Sequence, residues 1–520
     1  MKNALYFGDN LEWLRDRTRF PDSSVDLIYL DPPFNSKANY NKIFNEPGGA
    51  ESQAQIRAFD DTWDWESTSS GEALDQLAKA GEAESASLVE WVARKGDAYS
   101  TSMAAYLAMM GLRLVEMRRV LKPAGSIYLH CDPTASHYLK LLMDSLFGPE
   151  NFRNEIIWKR TSGHSDAQRY GRVHDVILYY GKRDSPTWNI TYQDYEESYV
   201  MQYYRYEDPD GRKWMSADLG AAGLSGGGYE YEWKGITRVW RVPKSTMERL
   251  EREGKIFYTR NGVPRLKRYL DEAKGLPTQD VWADVEALRS WHKERLGWPT
   301  QKPEGLLERI IKSSSNEGDM VLDPFCGCGT AIIAAHRLKR HWIGIDVTYF
   351  AIDLIEDRLR RTFPASSQDA YEVHGSPTDE ASARRLMERR NKQFEIWAVT
   401  KLVGAHPREH DGGVDGVYAL VEGASARKVT KVIVQVKGGK HLNPGMVRDL
   451  FGTVENEKAV MGLLITLEEP TSGMKELAAH SGFYRSPASG KEYQRIQILT
   501  VKELLEEGKK FDLPAGKRPD

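Results

Sequence analysis

The stretch that most restricts the fold is Leu27–Phe34, LIYLDPPF, where an apolar run passes straight into Asp31-Pro32-Pro33-Phe34. Each proline fixes its own φ and drives the residue before it out of the helical region, so the turn is stiff before anything packs on it. The near-continuous apolar run Val25–Leu30 reads as a strand from the middle of a parallel sheet, covered on both faces. The chain must therefore build a sheet around this strand and hold Asp31 at its end. A carboxylate, a proline carbonyl and a ring in that place suit a flat ligand with an amino group. Asp31 and the Pro32 carbonyl accept hydrogen bonds from an exocyclic NH2, and Phe34 offers a stacking face. Alone, the tetrapeptide reads first as an ordinary strand-ending turn, and the decision rests on its partners.

Those partners begin with a sheet. Asn3–Gly8 reads as a first strand and Gly8-Asp9-Asn10 ends it before a helix over 11–17. Residues 35–100 lose clear periodicity and carry an acidic, Trp-rich knot at 60–65, which predicts a flap or solvated insertion. Helical spacing returns with Leu107, Met110, Leu114, Met117 and Leu121, followed by Pro123. A strand over 125–131 and a helix over 137–146 continue an alternation that predicts an α/β sheet with crossover connections.

From Trp158 to about Leu296 aromatic and cationic residues interleave: Tyr199, Tyr203, Tyr204, Tyr206, Trp214, Tyr229, Tyr231, Trp233 and Trp240 with Arg205, Arg212, Lys213, Lys234, Arg238 and Arg241. Such a mixture serves base stacking and phosphate neutralisation, or the ordinary packing of a small β-rich subdomain. The net charge of −3, from 72 Lys and Arg against 75 Asp and Glu, leaves nucleic acid open, provided the positive charge is gathered on one face.

A second constellation lies at Met320–Thr330, MVLDPFCGCGT. An apolar strand ends in Asp323, then Phe325, Gly327 and Gly329 lead into a helix, and the next strand ends in Asp346. Glycines there let backbone approach a ligand, the helix N-terminus favours an anion, and the acid ending the second strand is placed to hold two ribose hydroxyls. The unit predicts a nucleoside-type cofactor. Just upstream, Trp298-Pro299-Thr300-Gln301-Lys302-Pro303 places Thr300 and Lys302 where they could hold a cofactor carboxylate. Cys326 and Cys328 read as small packing residues, since three cysteines with Cys131 make neither a disulfide framework nor a usual zinc set.

DPPF followed by DPFCGCGT and PTQKP, with the opening YFGDNLEWL, resembles the amino-group DNA methyltransferases that use S-adenosylmethionine. The order, catalytic motif before cofactor motif, resembles their β arrangement, as in type III modification subunits. The resemblance implies a Rossmann-like methyltransferase sheet with circularly permuted motif order, over 1–158 and 298–365, interrupted by a target recognition region over 159–297. It implies that Asp31, Pro32, Pro33 and Phe34 hold the target base, and that Asp9, Asp323, Phe325, Gly327, Gly329 and Asp346 surround the cofactor. The leading Asp resembles the adenine 6-amino enzymes more than the cytosine 4-amino enzymes, and the latter stay as the alternative.

After a polar linker over 366–384, Lys431–Lys437 (KVIVQVK) alternates, so that Gln435 and Lys437 share one face. Asp415 precedes a strand able to pair alongside. An acid, a second oxygen ligand and a lysine can together hold Mg2+ and orient water. The segment 385–510 resembles the Mrr-like restriction endonuclease domains, which implies an α/β nuclease fold with Asp415 and Gln435 on the metal and Lys437 beside it. The expected protein is an adenine-specific DNA methyltransferase fused to this domain, with Mg2+-dependent cleavage as a second activity. A methylation-sensing endonuclease is the alternative of another class. Double-stranded DNA is the expected partner, a homodimer is admitted, and no membrane partner is expected. The absence of an apolar run of about 18 residues and of a signal-peptide plan in MKNALYFGDN predicts a cytoplasmic protein.

Overall fold

The computed structural model describes residues 2–33, 68–95, 98–163, 170–183, 185–221, 227–298, 300–364, 371–408, 414–421 and 429–514. Phe34 and the knot at 60–65 lie outside them. The chain divides into two compact units, Met1–Asn189 with Asp280–Asp520, and Ile190–Gln279.

The first unit holds a nine-stranded sheet built from β1 (Ala4–Phe7), β2 (Val25–Leu30), β3 (Leu121–Cys131), β4 (Phe152–Lys159), β5 (His174–Gly181), β6 (Val281–Trp282), β7 (Met320–Asp323), β8 (His341–Asp346) and β9 (Glu372–His374). Its order is β6-β4-β5-β3-β2-β7-β8-β1-β9. Only β5 among them runs antiparallel to its neighbours, β3 and β4. The DPP strand is thus central, with β7 beside it in the register Val321↔Leu27 and Leu322↔Ile28. Alternation sends Leu27 and Tyr29 into the core on one face, Ile28 and Leu30 into the core on the other. Since β2, β7, β8 and β1 are parallel neighbours, their carboxyl ends lie along one edge, where open α/β sheets bind ligands.

Three expectations change. The stretch expected as a flap contains helices Thr68–Lys79 and Ala83–Ala93, whose Leu77, Val89 and Val92 are buried against the core helix Ala98–Val120. The other buried positions of these two helices are small, Ala73, Ser85 and Ala86, so the apolar repeat is faint in the sequence. The insertion expected over 159–297 is narrower as a compact unit, because β5 and β6 belong to the central sheet. The linker expected over 366–384 includes β9, paired with β1, and the helix Glu380–Arg389, whose capping box joins Asp379 and Ser382.

The C-terminal part of the same unit carries a five-stranded sheet of β10 (His406–Pro407), β11 (Gly416–Val421), β12 (Val429–Lys437), β13 (Met461–Thr466) and β14 (Ile496–Thr500), in that order. Its Phe394, Trp397, Val432, Val434 and Val436 fall in one continuous apolar cluster with Leu5, Phe7, Trp342, Tyr349 and Ile352 of the central sheet layers. A buried Gln393 accepts the backbone N–H of Tyr349 at 3.0 Å across this junction. The two sheets are joined through core.

The unit Ile190–Gln279 is β-rich, with a four-stranded sheet containing Lys213–Asp218 and Pro264–Tyr269, and a hairpin of Tyr229–Trp233 with Ile236–Trp240. Its aromatic residues divide between two jobs. Tyr204, Trp214, Trp233 and Trp240 are buried, whereas Tyr203, Tyr206 and Tyr229 are exposed. Arg212 lies 3.8 Å from the Tyr269 ring and pairs with Asp271 and Glu272.

Candidate active site

The site starts where β1 ends. Asp9 caps the helix Asn10–Arg15 by accepting from the Leu11 N–H at 2.7 Å, and its other oxygen accepts from Arg113 at 2.7 Å. Arg113, 1% exposed, also donates to Asn10 Oδ1 at 2.6 Å, and the Asn10 amide donates to the Pro324 carbonyl at 2.6 Å. A buried guanidinium is costly without partners, and these oxygens supply them. The network joins the turn after β1 to the turn after β7.

At the end of β2, Asp31 pairs with the ammonium of Lys302, which is 8% exposed and also reaches the Thr300 carbonyl at 3.4 Å. Lys302, whose position in PTQKP suggested a cofactor-facing role, pairs with Asp31 while lining the same cavity. A buried ammonium takes the carboxylate within reach. Thr300 Oγ1 accepts from the Trp298 indole at 3.1 Å.

After β7, Gly327 and Gly329 adopt φ of +47° and +76°. A Cβ at Gly329 would lie 2.6 Å from Ile355 Cγ1, so the turn requires glycine twice over, by conformation and by space. The Gly327 N–H donates to Asp346 Oδ2 at 2.9 Å, and Thr348 donates to Asp346 Oδ1 through its N–H and hydroxyl. Burial pushes the Asp346 carboxyl up, and these donors oppose the rise. Asp323 is pushed well above the usual carboxylate range, by burial first and then by the nearby charges of Asp31 and Asp346.

All of these open into one cavity with about 920 Å³ of non-atom space, partly continuous with solvent. Its lining brings together Asp9, Asp31, Pro32, Pro33, Thr300, Lys302, Asp323, Phe325, Gly327 and Asp346. Gly329 stands one residue behind, as the cap of the helix Thr330–Arg337. Sequence reasoning missed Asn10, Arg113 and Trp298, which also line or brace the cavity. Arg113 left a trace, a charge inside the apolar run of its helix, and the other two left none beyond proximity to motifs.

The DNA methylase family, the N6 and N4 methyltransferases, matches residues 25–357. The chain belongs to this family. Among curated relatives of the methylase, the type II methyltransferase M.EcaI of Enterobacter cloacae is 34% identical over 367 residues, 69% of this chain and 70% of the relative. The Mod subunit of the type III restriction-modification enzyme StyLTI of Salmonella typhimurium is 29% identical over 358 residues, 65% of this chain and 50% of the relative. A solved structure of a DNA modification methylase from Thermus thermophilus, complexed with S-adenosyl-L-methionine, is 17% identical with a TM-score of 0.34, covering 71% of this chain and 99% of that one. No helix among the described residues of the methylase is long and apolar enough to cross a membrane.

In the methylase's C-terminal sheet, Asp415 stands before β11, and its Oδ2 accepts from the Val436 N–H at 2.8 Å. Gln435, 2% exposed, and Lys437 follow on β12 in register with Leu464 and Thr466. Glu395, which sequence reasoning missed, faces the charges of Asp415 and Lys437. Burial pushes its carboxyl up, Lys392 opposes the rise by hydrogen bonding, and Asp415 adds to it. Asp411 to Gly413 lie outside the described residues. Among the described residues no group of three or more His, Cys, Asp or Glu is arranged to hold a metal ion. Residues 383–506 match the NACHT-associated inactive restriction endonuclease 1 family.

Proposed function

We propose that the methylase transfers a methyl group from S-adenosylmethionine to the 6-amino group of adenine in double-stranded DNA, as part of a restriction-modification or genome-defence system. One observation carries the reading: the Asp31-Pro32 turn and the Asp323–Asp346 turns, far apart in sequence, open into one cavity on neighbouring strands. The residues fit the cofactor. The glycine turn at 327–329 leaves room beside the buried Asp346, which would hold ribose hydroxyls, and Asp323 would meet a cationic amine. When bound, S-adenosylmethionine supplies an electrophilic methyl group on a sulfonium.

The chain's own residues do the rest. An exocyclic amine is a poor nucleophile because its lone pair is shared with the ring. Hydrogen bonds to the Asp31 carboxylate and the Pro32 carbonyl favour the pyramidal amine, and Lys302 keeps Asp31 charge-balanced as it accepts them. Alignment of reactants in such a pocket supplies on the order of 7–11 kcal/mol. The base must leave the duplex to reach it, at a cost of a few kcal/mol. The preference for adenine rests on the resemblance of DPPF to the 6-amino enzymes. Incubation with methyl-labelled cofactor and DNA, followed by nucleoside analysis, tests it. N6-methyladenine is expected, and N4-methylcytosine would move the assignment to cytosine.

For the C-terminal domain we infer DNA contact without cleavage. Asp415 commits one oxygen to the Val436 amide, Gln435 brings no charge, and Glu395 faces Lys392, a donor set that does not fit Mg2+. Unmethylated plasmid incubated with the protein and Mg2+ is expected to stay supercoiled, and nicking or linearisation lost in Asp415→Ala would restore the nuclease reading.

A further inference from the structure

Three buried polar side chains on three adjacent strands form a chain that runs from the cavity floor into the sheet. Tyr29 of β2 lines the cavity and lies on the same strand face as Asp31. Its hydroxyl meets Nδ1 of His130 on β3 at 3.0 Å, and His130 Nε2 meets Asp175 Oδ2 on β5 at 3.3 Å. The three are 2%, 0% and 1% exposed. Beyond Asp175, the guanidinium of Arg160 stands 3.6 Å from the second carboxylate oxygen and is half exposed. Polar groups buried this deeply in a parallel sheet are costly, and a methyl-transfer pocket needs only Asp31 and Pro32 to orient an amine.

The hydrogen bonds have a direction. Burial alone would raise the Asp175 carboxyl, yet the hydrogen bond from His130 Nε2, with the Arg160 guanidinium beside the second oxygen, holds it below the ordinary range. An ionised Asp175 takes the proton of Nε2, so neutral His130 presents a bare Nδ1, and the Tyr29 hydroxyl donates to it. Tyr29 is then an oxygen with its lone pairs free to accept and its proton already aimed at a base. The Trp158 ring, edge-on to the imidazole at 5.6 Å, closes the remaining side. The other charges acting on this chain are Asp31 and Asp323 on Tyr29, and Lys302 on Asp175.

We propose that Tyr29, His130 and Asp175 take up the proton that the target amine sheds. The inference rests on the methyl-transfer reading above. As the amine lone pair forms the new N–C bond, the S–C bond breaks and its electron pair stays on sulfur, leaving the nitrogen with one proton too many. That proton passes to the Asp31 carboxylate, then through water in the solvent-open cavity that both residues line to the Tyr29 oxygen, as the Tyr29 proton moves to His130 Nδ1. The products are a neutral methylated amine and an imidazolium paired with Asp175. Tyr29, His130 and Asp175 are positioning residues that act through Asp31.

Two measurements test this. In 15N-histidine NMR of the protein alone, with the His130 signal assigned from His130→Gln, the neutral ring is expected with Nε2 protonated and Nδ1 bare. The opposite tautomer overturns the proposal. In methyl transfer to DNA, Tyr29→Phe keeps the ring and is expected to lower kcat at least tenfold, with KM for cofactor and DNA within threefold and a protein that is still folded at the assay temperature. Asp175→Asn is expected to lower kcat at least tenfold as well, because the His130 Nε2–H loses its anionic acceptor. Unchanged kcat in Tyr29→Phe or in Asp175→Asn overturns the relay while leaving methyl transfer intact. Failure of the wild-type protein to label DNA overturns both.

Discussion

The glycine turn at the cavity offers a perturbation whose cost separates into two parts. Gly329→Ala meets a left-handed backbone, φ +76°, which costs an L-residue about 1–2 kcal/mol. It also puts a Cβ 2.6 Å from Cγ1 of Ile355, with Cδ1 and Cγ2 at 3.1 and 3.2 Å, an overpacking that costs about 1–3 kcal/mol. The single substitution should therefore destabilise by about 2–5 kcal/mol. Ile355→Ala, at a fully buried position, should cost about 2–5 kcal/mol on its own. In the double variant the clash has no partner, so only the backbone part survives. Its cost should fall short of the sum by about 1–3 kcal/mol. Urea unfolding of the four proteins measures the cycle, and calorimetric titration with S-adenosylmethionine should show weakened binding in Gly329→Ala with partial recovery in the double. Additivity within about 0.5 kcal/mol would refute the clash, and a single cost below about 1 kcal/mol would refute the argument that the turn requires glycine.

Arg113→Met leaves Asp9 and the Asn10 side-chain oxygen without their donor, and denaturation should register about 3 kcal/mol, the lower end for a broken buried pair because Asp9 keeps some exposure. A loss below about 1 kcal/mol would contradict the bracing role. Asp353, on the helix Tyr349–Thr362, is raised from 3.8 to about 6 by burial and by Glu356. The folded state therefore binds more protons than the unfolded state between those values, and stability falls as pH rises through that window, by at most about 3 kcal/mol. Asp353→Asn should flatten the slope of unfolding free energy between pH 4 and 6, and an unaltered slope would assign it to other groups. Trp397→Ala, in the apolar cluster shared by the two sheets, should cost about 3–5 kcal/mol and lower the melting of the whole first unit together. Independent melting of residues 380–510 in calorimetry would contradict a shared core.

Sequence patterns carried the strands and their ends well, because a parallel strand buried on both faces announces itself by composition and its terminal acid by position. DPPF, the glycine turn and Asp346 were legible for that reason. The pairings between them were not. Lys302 lies 271 residues from Asp31, and Asn10 lies 314 from Pro324. Which of several acids a buried ammonium chooses depends on sheet order, and nothing local encodes that order. The same limit explains the insertion, where the sequence left Trp214, Trp233 and Trp240 open between base stacking and packing, and their burial gives them to its core. Aromatic composition states that a residue has area to bury, without stating whether protein or ligand buries it. The linker failed differently: its polar residues conceal β9, a three-residue edge strand that no periodicity could reveal.

The four acids at the cavity explain what charge the ligand should carry. Asp9 is matched by Arg113 and Asp31 by Lys302, so these pairs are internally neutral. Asp346, pushed up by burial, already accepts from Gly327 and Thr348, which leaves it suited to neutral hydroxyls. Asp323 accepts from the Phe325 amide, and burial beside Asp31 and Asp346 pushes it far up, so its ionised form is the costly one. A positive group brought to Asp323 would stabilise that form, whereas another carboxylate there would add to the repulsion. A ligand that puts hydroxyls on Asp346 and a cation near Asp323 satisfies both at once. A nucleotide phosphate near Asp323 would add to the repulsion there, which argues for a cationic nucleoside over a phosphorylated cofactor from charge alone.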